Sequence, residues 1–390
     1  MSTYTVGIEE EFFVSHMRTF APATHVPKEL ARAFLKLKYG SVTTEMMQAQ
    51  IEVNTGVCET LDEAREQLAS LRRMLSQTAA DHNHCISASG THPMALWYEQ
   101  MLTQKARYRR IQDDLQIVGR RNVLCGLHVH VAVPAPEHRI RLMLRSVPYL
   151  PLLLALSLSS PFWQAHPTGL KGYRLSAYDE LPRTGFPPVF ASARSYDDYI
   201  GALVAAKIIP DASHLWWCIR PALSYPTLEL RIADSNPNLD DVLCIAAWFR
   251  CLMRRLSEDD GFGYDLTSEM RAIVYENRWR IQRFGTEASI VNPLSLESST
   301  VAKELETLAG ILGEDADALG CSREFDRWRT ILAEGTAADR QITIFDEERA
   351  AGSSRMVALR AVMSWLIAET ARQSTLGDAS ATAVSAPPPN

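Results

Sequence analysis

A Glu-x-Glu pair, a lone glutamate, a His-x-His pair and a Glu-x-Arg pair each sit inside an otherwise apolar strand pattern in this chain. The segments are 6–14 (VGIEEEFFV), 47–55 (MQAQIEVNT), 124–133 (LCGLHVHVAV) and 227–234 (TLELRIAD). Successive side chains on a strand point to opposite faces. Glu9 and Glu11 therefore share one face, backed by Ile8, Phe12 and Val14. Gln48, Gln50, Glu52 and Asn54 share another, with Met47, Ala49, Ile51 and Val53 behind. His128 and His130 oppose Leu127, Val129 and Val131, while Glu229 and Arg231 oppose Leu228, Leu230 and Ile232. If these strands join one sheet, one face packs on helices and the other presents four carboxylates, two imidazoles and an arginine. A polar outer face is ordinary for one half-buried strand. Three glutamate-bearing strands beside His-x-His are not ordinary, because like charges on one sheet face repel and call for cations.

The donor atoms indicate which cations. Carboxylate oxygens suit Mg²⁺ or Mn²⁺, whereas a catalytic zinc takes three protein ligands, often histidines. Glu9, Glu11, Glu52 and Glu229 with one imidazole suffice for about two or three divalent ions. An arginine beside such ions points to phosphate, since its planar fork pairs with phosphoryl oxygens. Metal ions and arginines around a phosphate are the working parts of phosphoryl transfer. The phosphate-loop pattern GxxxxGK[ST] is absent, so a nucleotide would be held by ions and side chains. Further cations stand at Arg220, ahead of Pro221, and in 276–285 (ENRWRIQRFG), where Arg280 and Arg283 share a helix face near Asn277. Residues 89–93 (SGTHP) read as a strand end or turn presenting Thr91 and His92.

Helices must carry these strands. Thr60 and Glu63 form a capping box ahead of a helix that buries Leu61, Ala64, Leu68, Leu71 and Leu75. Residues 240–256 and 354–371 show similar spacing. The apolar run 147–158 falls short of the roughly 20 residues that span a bilayer and is broken by prolines, so it reads as a buried helix. The stretch 182–189 (PRTGFPPV) reads as a mobile loop, and the Ala/Ser/Thr/Pro-rich stretch 374–390 as a disordered tail. With no repeat and no break in composition, the expectation is a single α+β domain over 1–373 with an antiparallel or mixed sheet.

At 390 residues, 46% hydrophobic and 22% charged, the chain can bury a large core. A formal charge of -6 argues against a dedicated nucleic-acid partner. The 7 cysteines are scattered without a Cys-x-x-Cys pair and read as free thiols of a reducing compartment. With no leader at the N-terminus, this predicts a cytoplasmic protein without a membrane partner.

The motifs GIEEEF, QIEVNTGVC, SGTHP, GLHVHV, RPALSYPTLELRIAD and ENRWRIQRFG follow one another over roughly residues 5–285. In that order they resemble bacterial carboxylate–amine ligases of the glutamate–cysteine ligase type 2 family. The resemblance implies a glutamine synthetase-like catalytic fold, a curved antiparallel sheet funnel flanked by helices. It implies ATP and Mg²⁺ (or Mn²⁺) as cofactors. The carboxylate substrate, L-glutamate by the family's name, would be activated as an acyl phosphate and attacked by an amine, in a monomer or a homo-oligomer. It places metal ions on Glu9, Glu11, Glu52, His128 and Glu229, and catalytic roles on Arg231 and His130. Nucleotide contacts would fall on Arg220, Arg283, His130 and Arg231, with His92 a lesser substrate candidate. Gln48 stands where some relatives carry a glutamate, which leaves the number of ions and the choice of substrate open. A metal-dependent hydrolase, or a catalytically silent nucleotide-binding regulator on the same fold, would use the same sheet; an intact ligand set counts against the regulator.

Overall fold

The computed structural model describes residues 4–36, 41–133, 135–372 and 374, so the tail expected over 374–390 lies, Ser374 apart, outside the described residues. The four chemistry-bearing segments meet in one sheet. Its strands are β1 (Val6–His16), β2 (Ser41–Thr44), β3 (Gln50–Asn54), β4 (His84–Ser87), β5 (Leu127–Ala132), β6 (Ile219–Pro221) and β7 (Thr227–Leu230). The order is β2-β3-β1-β5-β7-β6, with β4 also paired to β1, and every pairing is antiparallel. The sheet is open, and its register sets the polar side chains in rows. Glu9 faces His128 on one side and Asn54 on the other, and Glu11 faces Glu52. Glu229 lies between His130 and Arg220.

The opposite face is the core. Ile8, Phe12, Val14, Ile51, Val53, Val129, Val131, Leu228 and Leu230 are all buried. Helices that matter for the site are α1 (Leu61–Asp81), α2 (Ala106–Leu115), α3 (Tyr173–Tyr178), α4 (Leu239–Glu258), α5 (Ser268–Phe284) and α6 (Arg355–Ala371). Helices α1 and α4 pack behind the sheet. The five apolar positions expected on α1 are buried as predicted. Thr60 Oγ1 accepts from the Glu63 amide at 3.2 Å, but the Glu63 carboxylate reaches the Glu59 amide (2.8 Å) instead of closing the box on Thr60. The helix expected at 240–256 runs Leu239–Glu258, and that at 354–371 runs Arg355–Ala371 with Ser354 as its cap.

Three consecutive glutamates on a strand cannot all face the same way. Glu10 turns into the core, where it is 1% exposed, and Arg72 of α1 answers its charge. Arg72 Nε donates to Glu10 Oε2 at 3.1 Å, and its other nitrogens bond the carbonyls of Pro237 (2.6 Å) and Asn236 (2.8 Å). One guanidinium thus ties β1, α1 and the entry to α4 together.

One expectation changes here. The stretch 182–189 is clamped: the Arg183 carbonyl accepts from Trp216 N (2.9 Å) and the Gly185 carbonyl from Cys218 N (2.8 Å). Phe186 is buried, and Arg271 bonds the Phe186 and Pro187 carbonyls. The composition that signals a turn here builds a fixed wall. The segment Arg139–Ser157 is long and apolar enough to cross a membrane, yet 83% of its apolar window is buried inside the fold, as for a core helix. All seven cysteines are buried and free, as the sequence suggested.

Replacing Arg72 by methionine strands a buried carboxylate, which costs about 3–5 kcal/mol. Urea unfolding should show that loss for Arg72→Met, and Glu10→Leu/Arg72→Met should recover part of it. A single variant as stable as the parent would contradict the pairing's structural role.

Candidate active site

The polar face of the sheet opens into a cavity of about 450 Å³. Glu9, Glu11, Glu52, His128, Arg220 and Arg231 reach it from the strands, and Glu45, Lys105, Arg107, Arg174 and Tyr178 from the surrounding segments. Strand parity explains the first set. The second set is supplied by turns and by helices α2 and α3.

The deepest charge imbalance lies over β1 and β3. Carboxylate oxygens of Glu11, Glu45 and Glu52 come within 4.8 Å of one another. Neutral donors reach them: Gly126 N to Glu11 (2.6 Å), Met46 N to Glu45 (3.2 Å), and Thr43 Oγ1 and Asn54 Nδ2 to Glu52 (3.3 and 3.2 Å). No lysine or arginine forms an ion pair with any of the three among the described residues. Burial, with the Glu52 charge added, raises the Glu11 carboxyl to about 7. Burial and the Glu11 charge raise Glu45 to about 7, and burial with Glu45 and Glu9 pushes Glu52 well above the carboxylate range. Burial, with mutual repulsion added, marks where a divalent ion fits: hard oxygen donors, half-buried, with charge to balance.

Beside this trio the charges are matched. Glu9 Oε2 lies 3.1 Å from His128 Nδ1, and Glu9 Oε1 lies 3.2 Å from His130 Nε2. Burial opposes the Glu9 charge, but the two imidazoles together hold its carboxyl far below the usual range. Burial and then the Arg231 charge lower His128 to about 4, leaving it neutral and able to ligate. Glu229 accepts from Arg220 Nε at 2.7 Å and Arg220 Nη2 at 3.1 Å, and pairs with Arg231 as well. Its burial is outweighed by these two guanidinium groups, which hold it charged. Donor atoms of Glu9, Glu52 and His128, and of Glu9, His130 and Glu229, form two further groups close enough to share an ion.

Arg174 of α3 is 3% exposed and lies over the Tyr178 ring at 5.6 Å, with Nη2 on the Arg231 carbonyl at 3.2 Å. It needs Gly126. A Cβ there would stand 2.4 Å from Arg174 Nη2 and 3.0 Å from His128 Nε2.

The structure thus gathers Glu9, Glu11, Glu52, His128, Arg220 and Arg231 around one cavity, with Glu229 and His130 beside them. His130 stands at the edge, with Nδ1 on Thr227 Oγ1 at 3.1 Å. Three expectations are corrected. Arg283 is exposed at the end of α5 against Phe284 and does not line the cavity. Helical periodicity shows which residues share a face, not which face meets the site; the buried polar positions of α5 are Asn277, Arg278 and Gln282. His92 is buried elsewhere, bonded to Ser15 Oγ (3.0 Å) and Met94 N (3.0 Å), and burial lowers it to about 3. Gln48 precedes the strand and bonds the Leu102 carbonyl at 2.9 Å, so only Gln50, Glu52 and Asn54 keep the predicted parity.

Glu45, Arg174 and Tyr178 were not anticipated. Glu45 stands one residue past β2, where no alternation marks it; its signal is an acidic residue directly ahead of the apolar Met46 and Met47. Arg174 and Tyr178 are four apart on a short helix, a spacing that sets them side by side.

Known proteins share this fold and this sequence pattern. A crystal structure of glutamate–cysteine ligase from Francisella tularensis in complex with AMP superimposes with a TM-score of 0.68 at 12% identity, over 96% of this chain and 90% of that one. A bifunctional glutathione synthetase from Pasteurella multocida gives 0.68 at 13% identity, over 94% of this chain but 53% of that longer chain. The fold is that of the glutamine synthetase-like ligases, an α+β architecture built on an open antiparallel sheet. The model of the glutamate–cysteine ligase family 2 (GCS2) matches residues 5–359. "Putative glutamate–cysteine ligase 2" of Bradyrhizobium diazoefficiens is 43% identical over 370 residues, 94% of this chain and 84% of the relative. The chain belongs to glutamate–cysteine ligase family 2.

The raised carboxyls give a signed prediction. Glu11 and Glu45 titrate near 7 in the metal-free fold and near 4.5 when unfolded, so between those values the folded state binds more protons. Stability of the metal-free protein should fall as pH rises through that window. Mg²⁺ displaces those protons, so it should raise the melting temperature more above pH ~8 than below pH ~5. Glu45→Gln should weaken Mg²⁺ binding by more than the roughly tenfold typical of outer-shell partners. A Mg²⁺ response independent of pH, and unchanged in Glu45→Gln, would remove Glu45 from the site.

Proposed function

We propose that this protein is an ATP-dependent carboxylate–amine ligase that forms an amide bond through an acyl phosphate, with a glutamate-like donor, as in a glutamate–cysteine ligase. The observation that carries the reading is the convergence of Glu11, Glu45 and Glu52, unbalanced, beside arginines at the wall of one cavity. Glu9, Glu11, Glu45, Glu52, His128 and Glu229 would hold Mg²⁺ or Mn²⁺, which supplies charge neutralisation for ATP and an anionic substrate. The single catalytic domain over 1–373 and the cytoplasmic setting belong to the same reading.

A carboxylate is a poor acyl donor because oxide is a poor leaving group. In the first step its oxygen attacks the γ-phosphorus of ATP; the bond to the β-bridging oxygen breaks and ADP leaves. In the second a neutral amine attacks the acyl carbon, inorganic phosphate departs and the amine's proton passes to a base. Arg231, half held by Glu229 and reaching Tyr178 Oη at 3.4 Å, would meet charge on the transferred phosphoryl group. Arg220 would reinforce it across the same glutamate. His130, between Glu9 and Glu229, would fix both carboxylates and the phosphate contact beside them.

The hydrolase and silent-regulator readings are separated by following products. With a donor carrying heavy oxygen in its carboxylate, label should appear in the released phosphate, with ADP as coproduct. AMP and pyrophosphate, or unlabelled phosphate during amide formation, would exclude this route. Arg231→Lys should lower kcat by about 100-fold or more, the loss found for removing one transition-state donor, with little change in melting temperature. A lysine variant that melts earlier but keeps its kcat would reduce Arg231 to a structural partner of Glu229.

A further inference from the structure

We propose that a second cavity, of about 240 Å³ beside the first, is a carboxylate site that seats the unreacted carboxylate of a substrate. Ile111 of α2 and Trp216 line both cavities, so one layer of side chains separates them. Arg110, Arg183 and Lys207 bring three positive charges to the second cavity against Asp114 alone, over an apolar floor that includes Ile209. Such a lining fits an apolar stem that ends in an anion.

Arg183 is the anchor. Its guanidinium lies over the Trp216 ring at 5.5 Å, and Nε is fixed on the His214 carbonyl at 3.1 Å. The two terminal nitrogens have no hydrogen-bond partner among the described residues. They form the fork that receives the two oxygens of a carboxylate. Arg183 has φ 62°, a region costly for any residue but glycine, whereas Lys207, at φ 59°, is the left-handed residue that ends the helix 193–205. Glycine would fit position 183 without strain, yet it carries a cation at the cavity wall. The segment around Arg183, which the metal site leaves unexplained, is clamped to residues 216–218 by the Arg183 and Gly185 carbonyls.

The charge also sorts the ligands. A nucleotide base is neutral and has no use for three cations, and the nucleotide's phosphates belong with the carboxylate-bound ions. A substrate's second carboxylate needs such a site, on the donor or on the amine. Naming the occupant a substrate rests on the ligase reading; the carboxylate chemistry of the cavity does not.

Fluorine NMR of the fluorotryptophan-labelled protein tests this, with the Trp216 signal assigned by its loss in Trp216→Phe. L-glutamate, L-leucine, isoamylamine (leucine without its carboxylate) and inorganic phosphate are titrated in turn. The Trp216 signal should move with at least one amino acid and stay still with isoamylamine and phosphate. Arg183→Lys and Lys207→Gln should each weaken that binding about tenfold, the scale of one charge-assisted pair, and leave Mg–ATP binding unchanged. In turnover the same variants should raise one KM about tenfold at nearly constant kcat; the donor's KM rises if the site seats the donor, the amine's if it seats the amine. A Trp216 signal deaf to both amino acids, or moved equally by isoamylamine or phosphate, overturns the proposal, as does unchanged affinity in both variants. If Trp216 responds while no amide forms, the ligase reading fails and the site stands. If amide forms with both KM values unchanged, the site fails alone.

Discussion

Burial of Glu11, Glu45 and Glu52 side by side is the constraint on which the rest of this molecule turns. Three carboxylates share a half-buried space without an ion pair among the described residues, and two of them are pushed to about 7. A fold stable without ligand would not need this arrangement. It is tolerated because the sheet is anchored from behind: Arg72 neutralises Glu10 and ties β1 to α1 and to the start of α4. The same strand therefore carries a neutralised charge on its core face and unbalanced charge on its cavity face.

Neighbouring groups show the contrast. Glu9 is held by hydrogen bonds with His128 and His130, and Glu229 by two guanidinium groups, so both stay charged without an ion. The cavity thus grades from satisfied charge over β5 and β7 to unsatisfied charge over β1 and β3. Divalent ions would be drawn first to the unsatisfied end, and an anionic phosphate to the arginines beside it. That ordering is a property of the sheet register, which sets Glu11 opposite Glu52 and Glu229 opposite Arg220.

Strand parity made much of this legible from sequence. Alternation placed Glu9, Glu11, Glu52, His128, Glu229 and Arg231 on one face before any register was known, and the apolar partners behind them are core residues. What alternation cannot show is what crosses the cavity from outside the sheet. Glu45 sits in the link between β2 and β3, and Arg174 and Tyr178 on a six-residue helix, where no period distinguishes a site residue from a solvated one. Arg283 failed for a related reason, because a helical face has no address until its neighbours are placed. His92 failed because a polar residue in a short motif can be a buried structural donor as readily as a ligand-binding one. Glu10 was hidden by its neighbours, since a third glutamate in the run could be read only once Arg72 stood beside it.

The central claim is that the unbalanced carboxylates bind divalent ions for phosphate chemistry. Diffraction at the manganese absorption edge, from crystals grown with Mn²⁺ and a non-hydrolysable ATP analogue, tests it most directly. Manganese should lie among Glu11, Glu45 and Glu52, with a further ion beside Glu9 and the analogue's phosphates directed toward Arg231. A bound analogue whose ions avoid all three carboxylates would contradict the account.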